Sequence, residues 1–307
     1  MTHRRRAGRS VGFGGLCVLA TVIAAGCSPD ATPMPTVTAA ATPVPTPVTT
    51  SYQLDATAWY AGLVIHVDSA SSVIDEGGGF FEIDLRLENP GTDVATLGVP
   101  IQLTDGSEIV EPVHGTVIPD VAAGGSVGLT LQFDVDGSFD IAAATVRIGR
   151  PAEHVVVIPL VDGAQGRVTL DPVPLVLTGK GTAGSLTVNL TSGEIRADIP
   201  DWGLELPADT LALTVFYTAR FGGTFAGGFA FTGANIGLSL PDGTLVTPRA
   251  DGHSQSSVVL KPGVTVPDLL ARFDVPSPGV GSYALIVRDG SKEKAIPFTI
   301  EPQAAGG

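Results

Sequence analysis

Phe81, Ile83, Leu85 and Leu87 alternate with Glu82, Asp84, Arg86 and Glu88, and Val127, Leu129, Leu131, Phe133 and Val135 alternate with Gly128, Thr130, Gln132 and Asp134. A period of two sends every second side chain to one face of an extended chain. Each segment therefore predicts a strand with one face in a core and the other in water. Residues 54–60, 63–68, 99–103, 145–148 and 155–160 read as further strands, with Gly, Pro and Asp clusters between them. Short strands at this spacing predict an all-β chain built as antiparallel β-sandwiches. The 39 glycines and 24 prolines among 307 residues agree, because helix interiors tolerate neither. The 44% apolar content excludes wholesale disorder.

The pattern runs twice. Gln102-Leu103-Thr104-Asp105-Gly106 corresponds to Ser239-Leu240-Pro241-Asp242-Gly243, Phe133-Asp134-Val135 recurs as Phe273-Asp274-Val275, and Ile158-Pro159-Leu160 as Ile296-Pro297-Phe298, at offsets of 137, 140 and 138. Three matches in one order point to a duplicated domain, since solenoid repeats are much shorter. Residues 63–67 match 186–190 at an offset of 123, which leaves the second copy with insertions near 201–208 and 221–235. The expected organisation is a signal peptide at 1–26, a disordered Pro/Thr-rich linker at 27–51, sandwiches at 52–161 and 162–302, and a flexible tail at 303–307. Each copy is long enough to bury its own core.

The first residues predict export. Arg4, Arg5, Arg6 and Arg9 precede an apolar run that ends in Ile23-Ala24-Ala25-Gly26-Cys27, which is a secretory signal and too short for a comfortable membrane span. Ala-Ala-Gly-Cys resembles the lipobox of bacterial lipoproteins, although Ala24 stands where Leu is usual. The resemblance implies that Cys27 is acylated and becomes the mature N-terminus, holding the protein to the outer side of the cell membrane. Two or three chains, at about 0.8 kcal/mol per buried methylene, anchor stably. The other cysteine, Cys17, lies in the leader, so the mature chain has no intramolecular disulfide. The segment after Cys27 reads as an extended polyproline-like tether that can be O-glycosylated. The formal charge of −14 becomes −18 once the leader's four arginines are removed, since the leader holds no acid. Nucleic acid and anionic lipid surfaces are therefore expected to be poor partners of the folded part. The expected partners are the membrane, through Cys27, and an unidentified envelope protein or polymer.

Trp59-Tyr60, Gly62-Leu63-Val64-Ile65, a glycine-rich turn, the strand ending Leu87-Glu88-Asn89-Pro90-Gly91, the hairpin Leu103-Thr104-Asp105-Gly106, and Gly124-Gly125-Ser126 leading to Phe133-Asp134-Val135 carry a family resemblance. Together they resemble the telokin-like, immunoglobulin-fold domains of bacterial exported lipoproteins, which are related to a small immunoprotective extracellular protein of mycobacteria. The resemblance covers about residues 52–160, and the second half more weakly. It implies two tandem immunoglobulin-like sandwiches. That family has no agreed activity, so the resemblance carries over no catalytic or ligand residue.

Motifs with chemical overtones are few. Gly124-Gly125-Ser126-Val127-Gly128 matches the nucleophile elbow G-x-S-x-G, but a strand rather than a helix is predicted after the serine. Gly179-Lys180-Gly181-Thr182-Ala183-Gly184 matches a dinucleotide fingerprint with Asp198 about 20 residues on, again without the helix that would receive a pyrophosphate. Asp134, Asp136 and Asp140 place three carboxylates in seven residues and form a candidate calcium loop, out of register for an EF-hand. His66, His114, His154 and His253 show no metal-ligand spacing. Phe221, Phe225, Phe229 and Phe231, four of the chain's 12 phenylalanines, share a glycine-rich stretch. They form a candidate ligand or partner patch if exposed, and core if not. The expected function is non-catalytic recognition or structural display at the envelope, with no cofactor. Calcium-dependent adhesion and a hydrolase with an unrecognised site are the alternatives.

Overall fold

The computed structural model describes residues 48–161, 166–251, 254 and 257–302. The expected signal peptide with Cys27, the expected linker up to residue 47, His253 and residues 303–307 lie outside the described residues. Within them the chain is all-β.

The first half comprises β1 (Val48–Tyr60), β2 (Leu63–Asp75), β3 (Gly78–Glu88), β4 (Ile101–Thr104), β5 (Ile109–Val110), β6 (Ser126–Val135), β7 (Thr145–Ile148) and β8 (Val156–Pro159). They form two antiparallel four-stranded sheets, ordered β1-β2-β3-β6 and β5-β4-β7-β8. The inward residues predicted from alternation, Phe81, Ile83, Leu85, Leu87, Leu131 and Phe133, are buried and meet Leu103, Val146, Ile148 and Ile158 of the facing sheet in one core.

The second half repeats this plan. It comprises β9 (Val173–Leu175), β10 (Gly179–Ala183), β11 (Leu186–Arg196), β12 (Asp198–Ile199), β13 (Leu204–Glu205), β14 (Thr210–Phe221), β15 (Phe229–Phe231), β16 (Ile236–Ser239), β17 (Leu245–Val246), β18 (Val258–Leu260), β19 (Thr265–Pro276), β20 (Gly281–Asp289) and β21 (Lys292–Ile300). The sheets β10-β11-β14-β19 and β17-β16-β20-β21 have the strand order of the first half and enclose a second core. Outside that plan, β9 adds a fifth strand to the first of these sheets by pairing with β11, and β12 with β13 and β15 with β18 form small pairs.

Several boundaries differ from expectation for a physical reason. β1 and β2 run well beyond residues 54–60 and 63–68, because a register shift between Val67 and Ser69 moves the buried set from Leu63, Ile65 and Val67 to Ala70 and Ser72. A bulge of this kind breaks period-two alternation without ending the strand. β11 carries its bulge after Leu190, the residue that matches Val67 in the repeat. The tether expected to reach Ser51 gives up residues 48–51 to β1, where they pair with residues 71–74. The first half also reaches past 161: Val168 pairs with Val157, Thr169 O accepts Trp59 N–H at 2.8 Å, and Leu170 packs on the first core.

Candidate functional site

The insertion near residues 201–208 builds the contact between the halves. β12 and β13 pair Asp198 with Glu205 and enclose a 3-10 turn, Pro200–Trp202. Proline starts that turn with its preset φ, and Gly203, at φ +57, ends it in the left-handed region. The hairpin faces the turn between β1 and β2, where Ala61 and Gly62 both have positive φ, as a two-residue hairpin connection requires. Glu205 Oε2 accepts Ala61 N–H at 2.9 Å and Asp198 Oδ2 accepts Gly62 N–H at 2.6 Å. Two amides from the tip of one half thus end on two buried carboxyl groups of the other. A Cβ on Gly62 would lie 2.9 Å from both Cα and O of Pro200, so the close approach needs glycine.

The two carboxyl groups differ electrostatically. Asp198 is compensated by Arg196, whose Nε donates to Oδ1 at 2.6 Å and Nη2 to Oδ2 at 3.2 Å. Glu205 has no such bidentate partner. Burial above all pushes its carboxyl up to about 9, and the charges of Asp198 and Glu153 add to this while the Ala61 amide and Arg196 oppose it. Its Oε1 is buried without a hydrogen-bond partner among the described residues. Beside it, Tyr60 Oη donates to Glu153 Oε2 at 2.6 Å, and burial together with that carboxylate raises the phenol above its ordinary value. His154 N–H to Leu206 O and Ala208 N–H to Ala152 O, both at 3.2 Å, complete the seam. Ile199, Leu206 and Ala212 form a small apolar core beneath it.

Two cavities open at this junction. One, of about 150 Å³, is lined by Tyr60, Arg150, Glu153 and Glu205. The other is a groove of about 560 Å³ between residues 89–96 of the first half and 200–203 of the second, and it shares Ala61, Thr96 and Gly203 with the first cavity. Its walls are fixed. Asn89 donates to Asp93 O at 2.7 Å and Val121 O at 3.0 Å, and its Oδ1 accepts Gly91 N–H at 2.9 Å. Opposite, Trp202 is 49% exposed and the Arg249 guanidinium lies 5.6 Å from its ring centroid. Arg249 is itself held by Asp274 at 2.6 Å. Asp201 pairs with Arg272 at 3.2 Å, and Arg272 is anchored on the buried Asp251 at 2.8 Å.

The residues singled out from sequence are placed differently. Phe221 and Phe231 are buried, Phe229 stacks on Phe221 at 5.7 Å, and Phe231 meets Tyr217 edge-on, so these three belong to the second core. Phe225 alone is open, at 70% exposure, and the four rings do not form a common exposed patch. Asp134, Asp136 and Asp140 do not converge into a calcium cage, because local donors take each one. Asp134 accepts from the Gln132 amide, Asp136 from Ser138 N–H and Oγ, and Asp140 from Ala142 N–H. The Ser138 hydrogen bonds hold Asp136 below the usual carboxylate range. Among the described residues no group of three His, Cys, Asp or Glu side chains is placed to hold a metal ion. Ser126 opens β6, and the glycine-rich run at 179–184 is β10 and its turn, so neither motif leads into a helix.

Sequence reasoning located the insertion but assigned it no role. The signal was there: it holds one of the chain's two tryptophans among Asp198, Asp201 and Glu205. The repeat offers a control. In the second half the matching turn, between β10 and β11, is held internally, with Ser185 N–H and Oγ donating to Asp289 Oδ2 at 2.8 and 2.7 Å.

A third depression of about 440 Å³ is largely apolar. At its rim Arg196 is engaged by Asp198 and Glu194, and His154 Nε2 donates to Thr210 O at 2.7 Å.

No family model and no curated protein matches the sequence. Among solved structures the chain is similar to a conserved hypothetical protein from Bacillus anthracis, at 9% identity over 36% of this chain and 91% of that one, with a TM-score of 0.28. A likeness of that size does not establish a shared fold or function.

Proposed function

We propose that the protein is a lipid-anchored, exported, non-catalytic recognition module, in which two immunoglobulin-like sandwiches act as one body and present the junction groove to an envelope polymer or protein. The observation that carries this is the groove, whose walls come from both halves and whose exposed Trp202 is fixed in place. An open aromatic in a concave, rigid setting is a common mark of a binding site. The resemblance to telokin-like lipoprotein domains and two facing sheets per half support the immunoglobulin-like assignment. The Ala-Ala-Gly-Cys motif supports the anchor at Cys27.

The test has two arms. Cys27→Ala is expected to leave the membrane fraction and lose labelled fatty acid, and continued membrane fractionation with undiminished label overturns the anchor. That soluble full-length variant is expected to co-sediment with isolated envelope fragments, and Trp202→Ala to abolish this. Absence of any co-sedimentation overturns the recognition role.

A hydrolytic role rests on one observation, the raised carboxyl of Glu205 beside Tyr60 and Glu153. It requires turnover of the retained polymer, abolished in Glu205→Gln while co-sedimentation persists.

A further inference from the structure

We propose that the groove beside Trp202 binds a neutral, hydroxylated ring, a sugar unit of an envelope polysaccharide. This rests on the recognition role above and names its ligand class.

Charge narrows the ligand first. The groove is lined by Asp93 and Asp201 and by no Lys, Arg or His. In a strongly acidic protein such a site repels phosphate and carboxylate ligands. A cation is disfavoured by what already surrounds the ring: the Arg249 guanidinium sits over Trp202, and Asp201 is engaged by Arg272. A second cation stacked on the ring would face that guanidinium through it. A neutral ligand remains.

The surfaces offered then specify its shape. Arg249 lies over one face of Trp202, and the half-exposed ring lines the groove. The negative face of an indole suits the weakly positive C–H groups on one side of a pyranose ring. The exposed carboxylate of Asp93 is an acceptor for its hydroxyls, and hydrogen bonds to ionised acceptors are the strong ones. The groove volume of about 560 Å³ lies within the usual range of small-ligand sites.

Trp59 and Trp202 are the chain's two tryptophans, so Trp59→Phe in the soluble full-length Cys27→Ala background leaves Trp202 as a single reporter. The probes are maltohexaose, laminarihexaose, mannohexaose and N-acetylchitohexaose, with tetralysine as the cationic comparison. At least one neutral hexasaccharide is expected to shift Trp202 emission saturably and to displace the protein from envelope fragments. Measured by calorimetry, Trp202→Ala is expected to weaken that binding about thirtyfold, as for a truncated aromatic anchor, with the melting temperature unchanged. Asp93→Asn, on an exposed loop side chain, is expected to cost about tenfold and covers the case in which the tryptophan variant folds poorly. Sugar affinity within about twofold of the parent in both variants overturns the site. A shift by tetralysine but no sugar overturns the ligand class. Envelope co-sedimentation with no sugar response also overturns the ligand class while the recognition role stands. Neither response overturns both.

Discussion

Asp198 Oδ2 accepts the backbone N–H of Gly62 at 2.6 Å across 136 residues of sequence. The same carboxylate is gripped by Arg196, so one buried side chain joins the local fold of the insertion to the tip of the other half. Asp198→Ala leaves the buried Gly62 amide unpaired and the half-buried Arg196 with Glu194 alone, and a loss of about 1–3 kcal/mol is expected. The urea midpoint of the full chain measures it, and a loss below about 1 kcal/mol would mean that the contact is incidental.

Gly62→Ala tests the same seam from the other side. The new Cβ would sit against the Pro200 backbone at 2.9 Å, at a φ of +84° that an L side chain adopts reluctantly. An expected cost of about 1–3 kcal/mol comes from strain and overpacking rather than from any lost bond. Gly184→Ala at the matched turn meets the Asp289 carboxyl instead, and should disturb only the second half. Limited proteolysis that cuts between the halves in Gly62→Ala and not in Gly184→Ala is the outcome to look for.

Glu205 sets a pH dependence. Its carboxyl titrates near 4.5 when unfolded and is pushed up to about 9 in the folded protein. Between those values unfolding releases a proton, so stability falls as pH rises through that window and levels off above it. Glu205→Gln keeps an oxygen for the Ala61 amide and removes the titration. The variant is expected to gain on the wild type steadily from about pH 4.5 to 9 in thermal melts. Parallel melting profiles for the two proteins would rule this out.

The phenylalanines divide by burial. Phe231→Ala should cost about 3–5 kcal/mol as a core truncation, whereas Phe225→Ser should change stability by no more than about 0.5 kcal/mol. Pairing Phe225→Ser with a change at Phe229, which stacks on Phe221, would confound binding with unfolding. Denaturant melts of the single variants separate the two.

Much of the fold was legible because a sandwich strand wets one face. The alternation at residues 81–88 and 127–135 follows directly from that, and Phe81, Leu87, Leu131 and Phe133 are buried as it predicts. The far ends of β1 and β2 were not legible, since the bulge after Val67 shifts the phase of the pattern. The site was less so. β12 and β13 have two residues each, too few for any periodicity, and the roles of Asp198 and Glu205 depend on amides 136 and 144 residues away. The phenylalanine run showed the opposite failure: its composition was conspicuous, but composition does not say which way Phe221, Phe229 and Phe231 point.

The grip of the second half on the first is a head-to-tail contact between two similar folds, and contacts of that kind propagate into filaments unless something stops them. Here the gripping hairpin, β12 with β13, has no counterpart in the first half's two sheets. The tip it would need on the second half is already held by that half's own Asp289. Docking therefore ends after a single step. Among the described residues the duplicated chain is arranged like a dimer written into one polypeptide, its gripping hairpin and the tip it grips already used on each other.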